Sequence, residues 1–244
     1  MIKKAYRLLN TLKYLKPKQL AFFIIRRKFS AKKISVTQHS SMNSALVLYP
    51  PIAVNNRLLP SGHIEFLNHQ REFDVDNIEW CPQEVSRLWR YNLHYFDYLR
   101  DSFFDTEKKQ SVINSWISLN PQNSQPGWEP FTCSLRIVNW VFYLNKNSSL
   151  ASQSIIDSLF LQALWLEEND EKHILANHYF ENIKALLFAG CFFHNLNSTD
   201  KNAVRWLRFA KQEIIQQLNE QTLQDGGHYE RSPQYHCLML ENYL

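Results

Sequence analysis

Residues 171–194 read EKHILANHYFENIKALLFAGCFFH, and the fold turns on how this stretch is understood. Its Leu, Ile, Phe and Tyr residues recur with helical spacing, yet they fall on more than one side of the helix. A helix at the edge of a simple bundle needs only one apolar stripe, so broader apolarity places this one between other helices. The neighbouring sequence has the same character. From Pro82 onward the pattern predicts helices over 83–104, 107–119, 130–144, 151–167, 171–194 and 200–219. The links between them, such as NKNSS and HNLNST, are polar and short, so successive helices are antiparallel neighbours. The expected fold is mainly α: an (α/α) toroid of antiparallel helical hairpins in two layers.

Upstream of Pro82 the chain changes character twice. Residues 1–33 predict two short basic helices divided at Pro17, with Tyr6, Leu9, Leu12 and Leu15, then Leu20, Phe23 and Ile24, as their apolar positions. Residues 34–81 predict a small β-containing lead-in, with Leu46–Leu48 and His63–Phe66 as strands and breakers at Pro50, Pro51, Pro60 and Gly62. Residues 82–244 form the helical body. Charge follows the same division. No Asp or Glu precedes Glu65, whereas twelve of the 27 basic residues lie between Lys3 and Arg57; the remaining 15 face 23 acidic residues, a balance of −8. A basic segment on an acidic body supports a solvated face, or contact with an anionic membrane surface. The LAFFII run is closed by Arg26 and Arg27, short of the roughly 7–15 residues of a signal h-region. Nor does any window supply the ~20 apolar residues of a membrane span. Sequence alone therefore leaves the chain on the cytoplasmic side. The four cysteines are scattered without a metal-binding spacing and are expected to be buried free thiols.

Three stretches could carry chemistry. In GWEPFTCSLRIVNW (127–140), a Trp-Glu-Pro turn at Glu129 leads into a helix bearing Arg136, Asn139 and Trp140. Arg136 and Trp140 stand at i and i+4 and share a face. That pair supports two readings: a clamp for a sugar ring and its carboxylate, or a core arginine satisfying buried carbonyls beside a packed indole. In LANHYFENIKAL (175–186), Asn177 and His178 sit inside an otherwise apolar helix, one turn before Glu181. Polar groups in such a place find partners or line a cavity. His173 lies on a different bearing from His178, so no zinc pair forms. In DGGHYERSPQYH (225–236), a Gly-Gly turn leads to Ser232-Pro233 and a new helix, with Tyr235 in its first turn. The positive end of the helix dipole there favours a phenolate, as proton exchange would require.

Taken in order, TLKYLKPKQ, GHIEFLNHQREF, WRYNLHYFDYL, GWEPFTCSLRIVNW, ANHYFENI and DGGHYERSPQYH resemble the N-terminal region of the heparinase II/III polysaccharide lyases. The resemblance covers most of the chain. It implies β-elimination on uronic-acid polysaccharides, with Asn177 gripping the uronate carboxylate, His178 beside it, and Tyr235 as acid and in some members also base. Glu230 and His236 would flank the tyrosine and orient it; Glu129, Arg136 and Trp140 would face substrate. No metal or other cofactor is implied, and no nucleic-acid partner. Related lyases are often periplasmic. The family also places a C-terminal β-sandwich-type domain, with a further catalytic histidine, after the toroid. This chain ends nine residues after Tyr235. The expectation is an incomplete toroid, inactive alone or completed by a C-terminal partner chain. Competing readings are a noncatalytic saccharide-binding scaffold and an α/α-toroid glycoside hydrolase using two of Glu129, Glu181, Asp225 and Glu230.

Overall fold

The computed structural model describes residues 57–59, 61–102, 105–148 and 151–243, together with Leu46 and Leu48. The basic helices expected over 1–33 lie outside the described residues, as does Val47 of the expected Leu46–Leu48 strand. Leu46 is held against the helical body, exchanging hydrogen bonds with the Asn145 side chain at 2.5 and 2.9 Å. The expected second strand is present as β1 (His63–Phe66), and it pairs antiparallel with β2 (His69–Glu72), in register from His63↔Glu72 to Phe66↔His69. Leu67 and Asn68 both take positive φ (55° and 59°), the two-residue turn whose twist matches a hairpin. β2 reads HQRE and is largely solvent-facing, so no hydrophobic alternation announces it. Ile64 and Phe66 of β1 point inward, Phe66 meeting Trp89 edge-on at 5.1 Å.

Among the described residues seven α-helices follow: α1 (Arg87–Tyr95), α2 (Thr106–Leu119), α3 (Pro130–Lys146), α4 (Gln153–Asn169), α5 (Ala176–Leu196), α6 (Lys201–Gln221) and α7 (Pro233–Tyr243). Several starts are chemically marked. Ser86, Asp105 and Asp200 cap α1, α2 and α6 by accepting from Trp89, Lys108 and Ala203 backbone N–H, and Pro130 opens α3.

The single helix expected over 83–104 is broken. α1 stops at Tyr95, Phe96 takes a left-handed backbone (φ 64°), and a 3-10 turn follows over Asp97–Arg100. A left-handed non-glycine residue costs about 1–2 kcal/mol. Fully burying a Phe ring is worth about 1.5–3 kcal/mol. The Phe96 ring is wholly enclosed, stacked on Trp80 (5.5 Å) and Tyr98 (5.3 Å) with Trp140 edge-on, so burial wins.

The centre of the molecule is α3 and α5, packed on each other, with α5 also lying along α6 and α3 against α1 and α4. Both central helices are buried on more than one side, α3 through Cys133, Ile137, Trp140, Val141 and Leu144, α5 through Phe180, Ile183, Leu186, Ala189 and Phe193. This is the enclosure that their broad apolarity demands. α5 and α6 approach closely at Gly190, where an added Cβ would stand 3.1 Å from the Leu207 backbone nitrogen. At the far end α7 is tied to α5 by Asn242, which donates to Glu181 (2.8 Å) and accepts from Lys184 (2.5 Å).

All four cysteines are free, but only Cys133 is buried; Cys191 is half-buried and Cys81 and Cys237 are exposed, correcting the expectation of buried thiols. Among the described residues, no helix is long and apolar enough to cross a membrane.

Candidate active site

Arg136 and Trp140 share a helix face, as their spacing requires, but that face looks into the core. Both are fully buried. The guanidinium donates to Gln162 Oε1 (2.8 Å) and to the Gly127 carbonyl (2.7 Å) and lies 3.9 Å from the centre of the Trp116 ring. Trp140 packs edge-on against Phe96 and Trp116. Neither can touch a polysaccharide, so the sugar-clamp expectation is corrected to the core alternative. Among the described residues no carboxylate pairs with Arg136, and burial lowers its pKa to about 10. Burial, then the same cation, drives His94 down to about 3. His94 is therefore neutral, and its tautomer is fixed: Trp116 Nε1 donates to Nδ1 (2.9 Å), so Nε2 carries the proton and donates to the Trp80 carbonyl (2.9 Å).

Glu129, immediately before α3, is half-buried and committed. It accepts from Arg87 Nη2 at 2.7 Å and, through a very short bond, from the Tyr91 hydroxyl. Burial, then the Glu129 carboxylate, push the Tyr91 phenol up to about 12. Beside this cluster, Phe131 meets Tyr95 edge-on and lies against the His178 ring at 4.5 Å.

The helix expected over 171–194 starts later than its spacing suggested, so Asn177 and His178 stand at its N-terminal end and not in its interior. Residues 171–175 form turns, and α5 begins at Ala176, which puts both side chains in its first turn. The cause is backbone: Leu175 (φ 65°, ψ −157°) and Ala176 (φ 53°) both take positive φ, which a continuous helix forbids. The N-cap residue, Leu175, makes no side-chain hydrogen bond to this N-terminus. Asn177 is half-exposed and its side chain makes no hydrogen bond to a described residue. His178 is steadied by the buried Glu171, whose two carboxylate oxygens each stand 3.2 Å from Nδ1. Glu171 is itself fixed by Asn182, which accepts from its backbone N–H (2.6 Å) and donates to Ser134 Oγ (3.0 Å).

Downstream, Asp225 Oδ1 accepts from Gly227 N–H, and Gly226 takes φ 83°, closing the turn expected there. Tyr235 lies in the first turn of α7, half-exposed, with His228 stacked against it at 6.2 Å. His228 is buried, whereas Glu230 and His236, expected to orient the tyrosine, are exposed. The ring that packs against Tyr235 is the other histidine of the motif. His228 Nε2 meets Gln221 Oε1 at 3.2 Å, and Gln221 Nε2 reaches the Ala176 carbonyl at 3.4 Å. One buried amide thus connects the Asn177 turn to the Tyr235 turn. Glu171, Asn182, Gln221 and His228 were absent from the sequence-based candidates.

An uncapped helix N-terminus beside an amide favours an anion. An imidazole and a phenol nearby can exchange protons. The hydrolase alternative loses Glu181, which is 2% exposed, ion-paired to Lys184 (2.7 Å) and bonded by Asn242. Among the described residues, no three His, Cys, Asp or Glu side chains form a group that could hold a metal ion.

The family model "Heparinase II/III N-terminus" matches residues 3–244. The fold is similar to a solved heparinase III (TM-score 0.56, 23% identity), covering 68% of this chain and 28% of that one. It is similar also to heparan sulfate lyase HepC from Pedobacter heparinus (TM-score 0.51, 18% identity), covering 74% and 31%. A further heparinase III gene product aligns at TM-score 0.51 and 20% identity over 68% and 31%. The aligned part is thus under a third of each of these solved chains. No curated protein matches the chain.

Proposed function

The chain belongs to the heparinase II/III family, matching the model of its N-terminal region, and from that premise we propose that it serves β-elimination on a uronic-acid polysaccharide. Residues 82–244 would supply the toroid part of the cleft. In that reaction the C5–H bond of the uronate breaks, a C4=C5 double bond forms, and the C4–O4 bond breaks as O4 takes up a proton. Removing C5–H beside a carboxylate places more negative charge on an anion, so the carboxylate must first be neutralised. Asn177 and the uncapped start of α5 are assigned that task. Tyr235 is assigned proton transfer, worth about 10²–10⁴-fold in rate for a positioned group. His178, steadied on Glu171, is the second candidate for exchanging protons.

The observation that carries this reading is the joining of the Asn177 and Tyr235 turns through Gln221. The test is the ultraviolet absorbance of the unsaturated uronate product, followed with the 244-residue chain on a panel of uronic-acid polysaccharides. Product formation should fall by at least about 100-fold in Tyr235→Phe, which keeps the ring and removes only the exchangeable proton. A Tyr235→Phe chain as fast as the parent would refute the proposal, whereas a folded parent that yields no unsaturated product on any of them would show that this part of the toroid does not turn over alone, as expected of an incomplete cleft.

A further inference from the structure

We infer that Gln221 is the positioning residue of this site, setting Asn177 and Tyr235 against each other without touching substrate; the inference rests on the elimination reading above. Neither Asn177 nor Tyr235 has a side-chain hydrogen bond to a described residue, so each inherits its place from its backbone. On the Asn177 side that backbone is strained. Positive φ at Leu175 and Ala176 costs about 1–3 kcal/mol each, and such a turn persists only where its surroundings over-determine it. Gln221 Nε2 holds it at the Ala176 carbonyl, one residue before Asn177.

On the Tyr235 side, the ring that steadies the phenol is His228. Gln221 Nε2 also donates to Gln217 Oε1 (2.9 Å), which turns Oε1 toward His228. His228 Nε2 therefore carries the proton, and Nδ1 is left buried without a partner among the described residues. Among the described residues, the only side-chain hydrogen bond fixing that imidazole is the one to Gln221. The backbone repeats the link, since Tyr229 N–H donates to the Gln221 carbonyl at 2.8 Å. Gln221 itself is 1% exposed, so its amide is preorganised by packing.

Gln221→Met keeps the length and volume of the side chain and removes all three hydrogen bonds. Its effect is read in the full chain, labelled at Asn side chains and Tyr rings, by nuclear magnetic resonance alongside the product assay. The Asn177 amide and Tyr235 ring signals should both move, while those of Asn139 and Tyr91 stay in place. kcat should fall by up to about 100-fold, the scale of a 1 Å misplacement of reacting groups, with KM within about twofold. His228→Phe keeps a ring against Tyr235 and cuts only the link to Gln221. It should shift Tyr235 and lower kcat while leaving the Asn177 signal unmoved, and it decides the matter if Gln221→Met does not fold. Unmoved Asn177 and Tyr235 signals in folded Gln221→Met, or an unchanged kcat, would overturn the inference. A parent chain without turnover bears on elimination by this chain alone, and the resonance shifts still decide whether Gln221 sets the two turns.

Discussion

Lowering the pH from 7 to 5 should destabilise this protein through His94, by an amount that its surroundings set. The imidazole is completely buried, lies near the Arg136 cation, and has both nitrogens engaged, so its pKa falls from 6.5 to about 3. In the unfolded chain the ring titrates normally. Below pH 6.5 the unfolded state therefore binds a proton that the native state refuses, and stability falls as pH falls. The loss is complete only near the folded pKa, about pH 3. At about 1.4 kcal/mol per pH unit, and allowing for partial protonation of the unfolded ring at pH 6.5, His94 alone removes about 2 kcal/mol between pH 7 and pH 5. For a chain of this size that is a melting-temperature drop of about 4–8 °C. Other groups also titrate in this window, so the quantity to measure is a difference. His94→Gln retains a donor and an acceptor but cannot ionise, and its melting temperature should fall less than the parent's between the two pH values, by that margin. Parallel losses in the two proteins would refute the argument that the core excludes the protonated ring.

Two further substitutions probe the same core. At Gly127 an added Cβ would stand 2.9 Å from His94 Nδ1, the atom that accepts the Trp116 indole N–H, and 3.4 Å from the Trp116 ring. Gly127→Ala should cost about 1–3 kcal/mol by overpacking, read as a melting-temperature drop of several degrees with helical circular dichroism preserved. Arg136→Met removes a buried cation but strands Gln162 Oε1 and the Gly127 carbonyl, at about 1–3 kcal/mol for each acceptor left bare, offset by the cation's own desolvation. A net loss of about 1–4 kcal/mol on chemical denaturation is expected, and an unchanged midpoint would mean that the staple contributes nothing.

The helical body was legible because its cause is local: apolar residues at helical spacing, interrupted by short polar links. The breaks at Phe96 and at Leu175–Ala176 were not, because each forces an ordinary hydrophobic residue into positive φ, and only a tertiary setting can compensate that. Spacing correctly placed Arg136 and Trp140 on one face of α3. It could not say that α3, enclosed on several sides, offers that face to the core. Tyr235 and Asn177 stood out as polar residues in telling contexts, whereas Gln221 looked like one more glutamine on a polar helix. A signal was present nonetheless. Ala203, Trp206, Ala210, Gln217 and Gln221 form the buried stripe of α6, so both glutamines continue an apolar seam, where a polar side chain requires a partner.

All seven tryptophans lie in the interior, none more than 5% exposed. Any sugar resting on this surface therefore meets smaller rings: Tyr91, Phe131, His178, Tyr229 and Tyr235 are each partly exposed. Four of these five carry a group that donates or accepts a proton, which a tryptophan platform could not do. Here the furniture that would recognise a pyranose and the furniture that would move its protons are the same side chains, so a substitution aimed at affinity will also be felt in the chemistry.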